Sequence, residues 1–215
     1  MATKVKICGL KTEAALEAAL AGGADFVGLV FFAPSPRSID PAAATALAAK
    51  ARGRARIVAL LVDPEDALID AVVKAVAPDM LQLHGDESPE RARDIGRRWN
   101  LPVIKAIKVA TVADARLALN YRAMADFILF DARPPEGADR PGGHGAAFDW
   151  SILTGVKEHV PFILSGGLTP DNVADAIRAT RATIVDVSSG VESSPGEKDP
   201  ALIQRFIQAA KGTPA

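Results

Sequence analysis

The sequence predicts a closed (β/α)8 barrel. Three observations carry that prediction: short β-branched runs alternate with alanine-rich amphipathic stretches along the chain, the runs number eight, and each gap fits one helix and two short loops. Such alternation marks βαβ units on a parallel sheet, and eight units in 215 residues point to a TIM barrel rather than an open doubly wound sheet. No stretch reads as an interdomain linker, and no low-complexity tail lies before residues 212–215, so residues 1–215 are expected to form a single catalytic domain.

The strand candidates are residues 5–8, 26–31, 57–62, 80–83, 103–107, 127–130, 162–164 and 184–187. Helices are expected at 12–21, 41–51, 64–76, 89–99, 111–121, 170–178 and 200–211. Five of them open with a capping residue followed by proline, at Asp40-Pro41, Asp63-Pro64, Ser88-Pro89, Thr169-Pro170 and Asp199-Pro200. The capping oxygen accepts from the first free backbone N–H groups, and the fixed φ of proline suits the first helical position. The rhythm breaks at 132–147, where Arg-Pro-Pro-Glu-Gly-Ala-Asp-Arg-Pro-Gly-Gly-His-Gly leaves no room for a regular helix. A long loop after the sixth strand is either a lid or binding loop or a plain flexible excursion.

Hydrophobic residues make up 49% of the chain and charged residues 24%, an ordinary globular balance. With 25 basic residues against 26 acidic ones, no broad face attracts nucleic acid or an anionic membrane. A single cysteine forms no internal disulfide and fits a reducing compartment. The opening Met-Ala-Thr-Lys-Val-Lys lacks a signal-peptide core, and no apolar run reaches the roughly 18 residues of a membrane span. The expectation is a cytoplasmic protein. The lack of obvious apolar surface stripes favours a monomer, with a homodimer as the alternative.

A closed barrel places its chemistry at the C-terminal ends of the strands. The first strand ends in Lys4-Val-Lys-Ile-Cys-Gly-Leu10, with Lys4, Lys6 and Cys8 on one face and Val5 and Ile7 on the other. Gly9, lacking a Cβ, lets a second molecule or strand come close to the sulfur. Taken alone, Cys8 reads as a small buried hydrophobe; its strand-end position opens a catalytic reading. After the seventh and eighth strands come Ser165-Gly-Gly-Leu-Thr-Pro170 and Asp186-Val-Ser-Ser-Gly-Val-Glu192. Either loop alone could be a tight turn, but loops at these two ordinals recurrently bind phosphate through converging N–H groups.

Asp131 ends the sixth strand in Phe127-Ile-Leu-Phe-Asp131, either as an acid–base partner for Cys8 or as a loop anchor. An unperturbed thiol titrates near 8.5 and an aspartate near 3.9, so such a pair needs both groups shifted by their surroundings. Arg37, in Ala33-Pro-Ser-Pro-Arg-Ser38, offers a planar fork to a carboxylate unless it is merely solvated. Gln82 and His84 share a face of the fourth strand, where a lone histidine is more often structural than catalytic. His84, His144 and His159 are the only histidines and make no ligand cluster, so no metal is expected.

Six segments then form an ordered set: Lys6-Ile-Cys-Gly9, Gln82-Leu-His-Gly85, Phe130-Asp131, Gly142-Gly-His-Gly145 followed by Phe148-Asp-Trp150, Ser165-Gly-Gly-Leu168, and Asp186-Val-Ser-Ser-Gly-Val-Glu192. Each is weak alone. In this order, from first strand to last, they closely resemble the phosphoribosylanthranilate isomerase family of tryptophan biosynthesis. The resemblance implies a cofactor-independent Amadori rearrangement of N-(5-phosphoribosyl)anthranilate to 1-(2-carboxyphenylamino)-1-deoxyribulose 5-phosphate. It implies Asp131 as general acid on the ribose ring oxygen and Cys8, as thiolate, as general base at C2. Arg37 would pair with the anthranilate carboxylate, and Asp186 would contact substrate hydroxyl or amine groups. Backbone groups of Gly166, Gly167, Ser188 and Ser189 would hold the phosphate. The chain departs from the family at His144, where threonine is most often found.

Competing barrel chemistries fit less well. A metal-dependent ribulose-phosphate epimerase needs histidine and carboxylate ligands at several strand ends. Indole-glycerol phosphate synthase would place catalytic lysine and glutamate at strand ends, whereas Lys6 and Lys105 lie within strands. A phosphate-binding barrel without activity would need neither Cys8 nor Asp131. The aminoaldose of histidine biosynthesis undergoes the same rearrangement and stays open as a second substrate.

Overall fold

The structure is a computed structural model that describes residues 2–133 and 148–214. Most of the expected loop at 132–147, with His144 and its flanking glycines, lies outside the described residues. Eight strands close into a parallel barrel in chain order: β1 Lys4–Cys8, β2 Phe26–Val30, β3 Arg56–Leu61, β4 Met80–Leu83, β5 Val103–Val109, β6 Phe127–Ala132, β7 Phe162–Leu164 and β8 Ile184–Val187. Every expected strand is present, with ends shifted by a residue or two.

Side-chain alternation along the strands sorts residues between two cores. Outward residues such as Val5, Ile7, Leu29, Ile57 and Leu61 pack with the helices in the main core. Inward residues Phe26, Val58, Met80, Ile104, Ala106, Leu129, Ile163 and Ile184 fill the barrel, and Cys8, Val30 and Leu60 form a further inward layer. The interior also carries fully buried Lys6 and Gln82, together with Asp131, Ser165 and Asp186.

The helices are α1 Glu13–Gly22, α2 Pro41–Ala51, α3 Asp66–Val76, α4 Pro89–Trp99, α5 Val112–Arg116, α6 Val173–Thr180 and α7 Pro200–Lys211. Asp40, Ser88 and Asp199 cap α2, α4 and α7 as expected, each ahead of proline. Two expected caps do other work. Asp63 has a left-handed φ of 43° and accepts from the Asp86 N–H at 2.7 Å, so α3 starts only at Asp66 without a side-chain cap. A Cβ on Gly85 would lie 2.4 Å from that carboxyl, which shows how closely Asp63 clasps the loop after β4.

Thr169 likewise fails to start a helix. The Asn172 side chain accepts from the Thr169 N–H at 2.8 Å and donates to the Gly167 carbonyl at 2.9 Å, folding the segment into a turn that delays α6 to Val173. The helix expected at 111–121 opens with a capping box between Thr111 and Asp114, then tightens into a 3-10 turn at Leu117–Tyr121. Leu117 and Leu119 are exposed, so that stretch buries too little to hold a longer α-helix. A 3-10 turn at Trp150–Leu153 and a hairpin of β9 Glu192–Ser194 with β10 Glu197–Lys198 were not anticipated.

Because a capping oxygen satisfies otherwise unpaired helix N–H groups, Asp40→Ala and Asp199→Ala should each lower stability by about 1 kcal/mol in urea denaturation. Unchanged midpoints would show that these caps contribute nothing.

Candidate active site

Cys8 ends β1 facing into the barrel and is 4% exposed. It pairs in register with Gly28 of β2, where a Cβ would lie 2.9 Å from the sulfur; only glycine leaves the thiol its seat. Gly9 has a φ of 80°, and a Cβ there would lie 2.7 Å from Arg37 Cδ, so the chain must be bare where it turns past that arginine. Two residues back along the same face, Lys6 is fully buried, with Nζ 2.8 Å from Asp186 Oδ1 on the neighbouring strand β8. Asp186 Oδ2 in turn accepts from the Ser165 hydroxyl at 3.1 Å.

This setting works on the thiol in opposed directions. Burial pushes the Cys8 thiol up, Lys6 pulls it down, Asp186 adds to the rise, and Lys198 pulls down; burial wins. For Lys6, burial acts against the charge, but Asp186 and Cys8 outweigh it and hold the ammonium above its ordinary value.

A second charged group lies beside the first. Arg37 grips Glu192 bidentately, Nε to Oε1 at 2.7 Å and Nη2 to Oε2 at 2.8 Å. Lys198, on β10, shares Glu192 Oε1 at 2.5 Å and donates to the Ser188 carbonyl and hydroxyl at 3.0 and 3.2 Å. The Ser188 hydroxyl donates to the Cys8 carbonyl at 3.1 Å. Burial raises Glu192, but Arg37 and Lys198 outweigh it and leave its carboxyl below the usual range. Burial keeps Lys198 below the usual lysine value despite Glu192.

Asp131 ends β6 with Oδ2 3.2 Å from His84 Nε2 and Oδ1 accepting from the Ala132 N–H at 3.0 Å. Gln82 Nε2 lies 2.9 Å from His84 Nδ1. With that amide nitrogen as donor, the histidine proton is on Nε2, facing Asp131. The loop carrying His84 is fixed from outside the barrel: buried Lys105 donates to the Gly85 carbonyl at 2.7 Å and to Glu87 at 2.9 Å, and Glu87 accepts from the Asp63 and Gly85 N–H groups.

The expected anion loops leave the ends of β7 and β8. Gly166 and Gly167 have φ of 84° and 64°, and a Cβ on Gly166 would lie 2.4 Å from the Ala132 nitrogen, so the loop packs directly against the end of β6. Among the described residues, nothing accepts from the backbone N–H of Gly166, Gly167, Ser188 or Ser189. No group of three or more His, Cys, Asp or Glu among the described residues is arranged to hold a metal ion.

The structure therefore brings Cys8, Arg37, Asp186 and Ser188 into one connected charged group and puts Asp131 in a separate one with His84. Sequence reasoning missed Lys6, Lys198 and Glu192 as members. Strand alternation already set Lys6 on the Cys8 face, and Glu192 closed a quoted motif, but nothing marked Lys198, which reaches the site through an unforeseen hairpin.

A parallel barrel with a buried thiol and a carboxyl at the carboxyl ends of its strands, beside glycine- and serine-rich loops after β7 and β8, has the frame of the barrel enzymes that act on phosphorylated substrates. The family model for N-(5'-phosphoribosyl)anthranilate isomerase matches residues 5–209. A protein of that name from Rhodopseudomonas palustris (strain BisA53) is 59% identical over 213 residues, covering 99% of this chain and 98% of that protein. One from Mesorhizobium japonicum is 51% identical over 98% of this chain and 96% of that protein. Among solved structures, the phosphoribosyl anthranilate isomerase of Thermotoga maritima superposes with a TM-score of 0.88 at 39% identity, covering 98% and 99% of the two chains. A phosphoribosyl anthranilate isomerase in complex with reduced 1-(o-carboxyphenylamino)-1-deoxyribulose 5-phosphate gives 0.86 at 37% identity, again over 98% and 99%. The chain belongs to the N-(5'-phosphoribosyl)anthranilate isomerase family.

Glu192→Gln removes the carboxylate that Arg37 and Lys198 share, and should lower stability by about 3 kcal/mol at neutral pH. Because the folded-state value of Glu192 is depressed, its contribution is present above the ordinary carboxylate range and is lost as pH falls through the depressed value. Denaturation curves of parent and variant should converge in acid; a constant gap across pH would refute the charge account.

Proposed function

We propose that the protein converts N-(5-phosphoribosyl)anthranilate to 1-(2-carboxyphenylamino)-1-deoxyribulose 5-phosphate without a cofactor, with Cys8 as general base and Asp131 as general acid. As a member of its family the chain is an aldose–ketose isomerase of tryptophan biosynthesis. The observation that supports the residue roles is that a buried thiol and a histidine-bonded carboxyl end inward-facing strands at the same end of one barrel.

Asp131 protonates the ribose ring oxygen as the C1–O bond breaks, and the anthranilate nitrogen lone pair makes the iminium at C1. The Cys8 thiolate removes the C2 proton, the electrons of that bond neutralise the iminium, and the resulting enolamine tautomerises to the ketone. Arg37, its guanidinium plane held by Glu192, takes the anthranilate carboxylate. The N–H groups of Gly166, Gly167, Ser188 and Ser189 take the phosphate. Both Asp186 oxygens are engaged by Lys6 and Ser165, so a substrate amine or hydroxyl would share lone pairs already in use. The whole chain works as one catalytic domain, expected to be monomeric in the cytoplasm.

Each of the two groups should supply about 10² to 10⁴ in rate. Fluorescence loss of fresh phosphoribosylanthranilate, followed with chelator present, should therefore fall by at least about 100-fold in Asp131→Asn and in Cys8→Ala. Near-normal turnover in either variant would remove that residue from its role.

The productive state has a thiolate on Cys8 and a proton on Asp131, the reverse of what the isolated groups hold at neutral pH. Activity falls when both groups hold a proton or when neither does. Since burial raises the thiol, the basic limb of kcat/KM should lie above the ordinary thiol value. A basic limb below that value would contradict the assignment.

A further inference from the structure

We infer that Lys6 is the positioning residue that makes a thiolate available at Cys8: its ammonium, aimed by Asp186 and Ser165, becomes the counter-ion of the sulfur. This rests on the reading of Cys8 as the base. The base's carbon acid and its leaving proton are unchanged; what Lys6 determines is how often the sulfur is charged when substrate arrives.

The geometry leaves Lys6 little choice of partner. It is fully buried, two residues from Cys8 on one strand face, and its charge acts on the thiol. Asp186 sits opposite it in register on β8 and fixes its Nζ at 2.8 Å, while the Ser165 hydroxyl fixes Asp186 at 3.1 Å. On the other side of the sulfur, β2 offers Gly28 and Val30 and β3 offers Leu60, none of them charged. Among the described residues, the other charges that face this region are Lys198 on β10 and, beyond it, Glu192 and Arg37, which pair with one another.

Stability alone does not account for Lys6. A buried ion pair is often no better than well-packed apolar side chains of the same volume, and the strands beside β1 hold apolar residues in the barrel interior. Charge balance does account for it. Among the ion pairs of the described residues here, Lys6, Arg37 and Lys198 bring three positive charges and Asp186 and Glu192 two negative ones, and a thiolate at Cys8 adds a third. When the S–H bond breaks, the electron pair stays on sulfur beside Lys6 and the proton passes to water.

Cys8 is the only cysteine, so alkylation by iodoacetamide against pH, together with ultraviolet thiolate absorbance, reads this sulfur directly in the full chain. Lys6→Met should raise the midpoint by about one pH unit or more, a roughly tenfold loss of thiolate at neutral pH. Asp186→Asn should lower it, because the ammonium then has only the sulfur as anion. Asp186 also repels the thiolate directly, so the double variant should lie between the two single variants, its midpoint still above that of Asp186→Asn. Lys6→Arg, keeping the charge, should restore most of the shift. General structural damage would move both single variants the same way, and that result, or an unmoved midpoint in a folded Lys6→Met, overturns the inference. Should Lys6→Met not fold, an unmoved or raised midpoint in Asp186→Asn overturns it instead. Failure of the base assignment shows separately, as normal turnover in Cys8→Ala.

Discussion

A lysine ammonium enclosed inside a β-barrel is tolerable only with an anion at contact distance, and the 2.8 Å pair between Lys6 and Asp186 supplies it. Much of the site follows from that pair. It joins β1 to β8, the two strands whose meeting closes the barrel. It recruits Ser165 at the end of β7, so three successive strand ends around the closure share one hydrogen-bonded chain. It also sets a fixed positive charge on the same face of β1 as the thiol, two residues away. Remove the pair and the barrel could still close, but its mouth would lose the charge that distinguishes Cys8 from an ordinary buried hydrophobe.

The hairpin β9–β10 extends this arrangement by bringing charge from the far end of the chain. Glu192 and Lys198 meet Arg37, which belongs to the loop after β2, so the last loop of the barrel locks onto one of the first. A Cβ on Gly196, at the tip of that hairpin, would lie 2.6 Å from the Pro36 carbonyl, which shows how tightly the two loops fit. Glu192 accepts from two cations and from the Gly196 N–H, and a carboxylate satisfied this fully holds a guanidinium plane rigidly.

All eight strands were legible in the sequence because an apolar run bounded by turn residues has few alternatives. Helix starts were legible only where the cap had nothing else to bind. Asp40, Ser88 and Asp199 cap as expected, whereas Asp63 and Thr169 are claimed by neighbouring loops, a tertiary effect that local pattern does not show. The same limit applied at the site. Cys8, Asp131 and the two small-residue loops stood out because they end strands. Lys6 and His84 were visible but undervalued, since their meaning lies in Asp186 and Asp131, which are remote in sequence. Lys198 carried no signal.

The barrel also sets Cys8 and Asp131 in different charge surroundings. On the β8–β1–β2 side, Lys6 and Lys198 pull the thiol down and offset part of the rise that burial imposes. Across the barrel at β6, the partners of Asp131 among the described residues are His84 and a backbone N–H, with no lysine or arginine bonded to it. A cation there would favour the carboxylate and work against an acid. Lys105 lies on β5, between β4 and β6, yet strand alternation turns it outward, where Glu87 neutralises it and the pair braces the His84 loop. One parallel barrel can thus favour an anion at one strand end and avoid a competing cation at another, because alternation decides, residue by residue, which charges enter the mouth and which serve the wall.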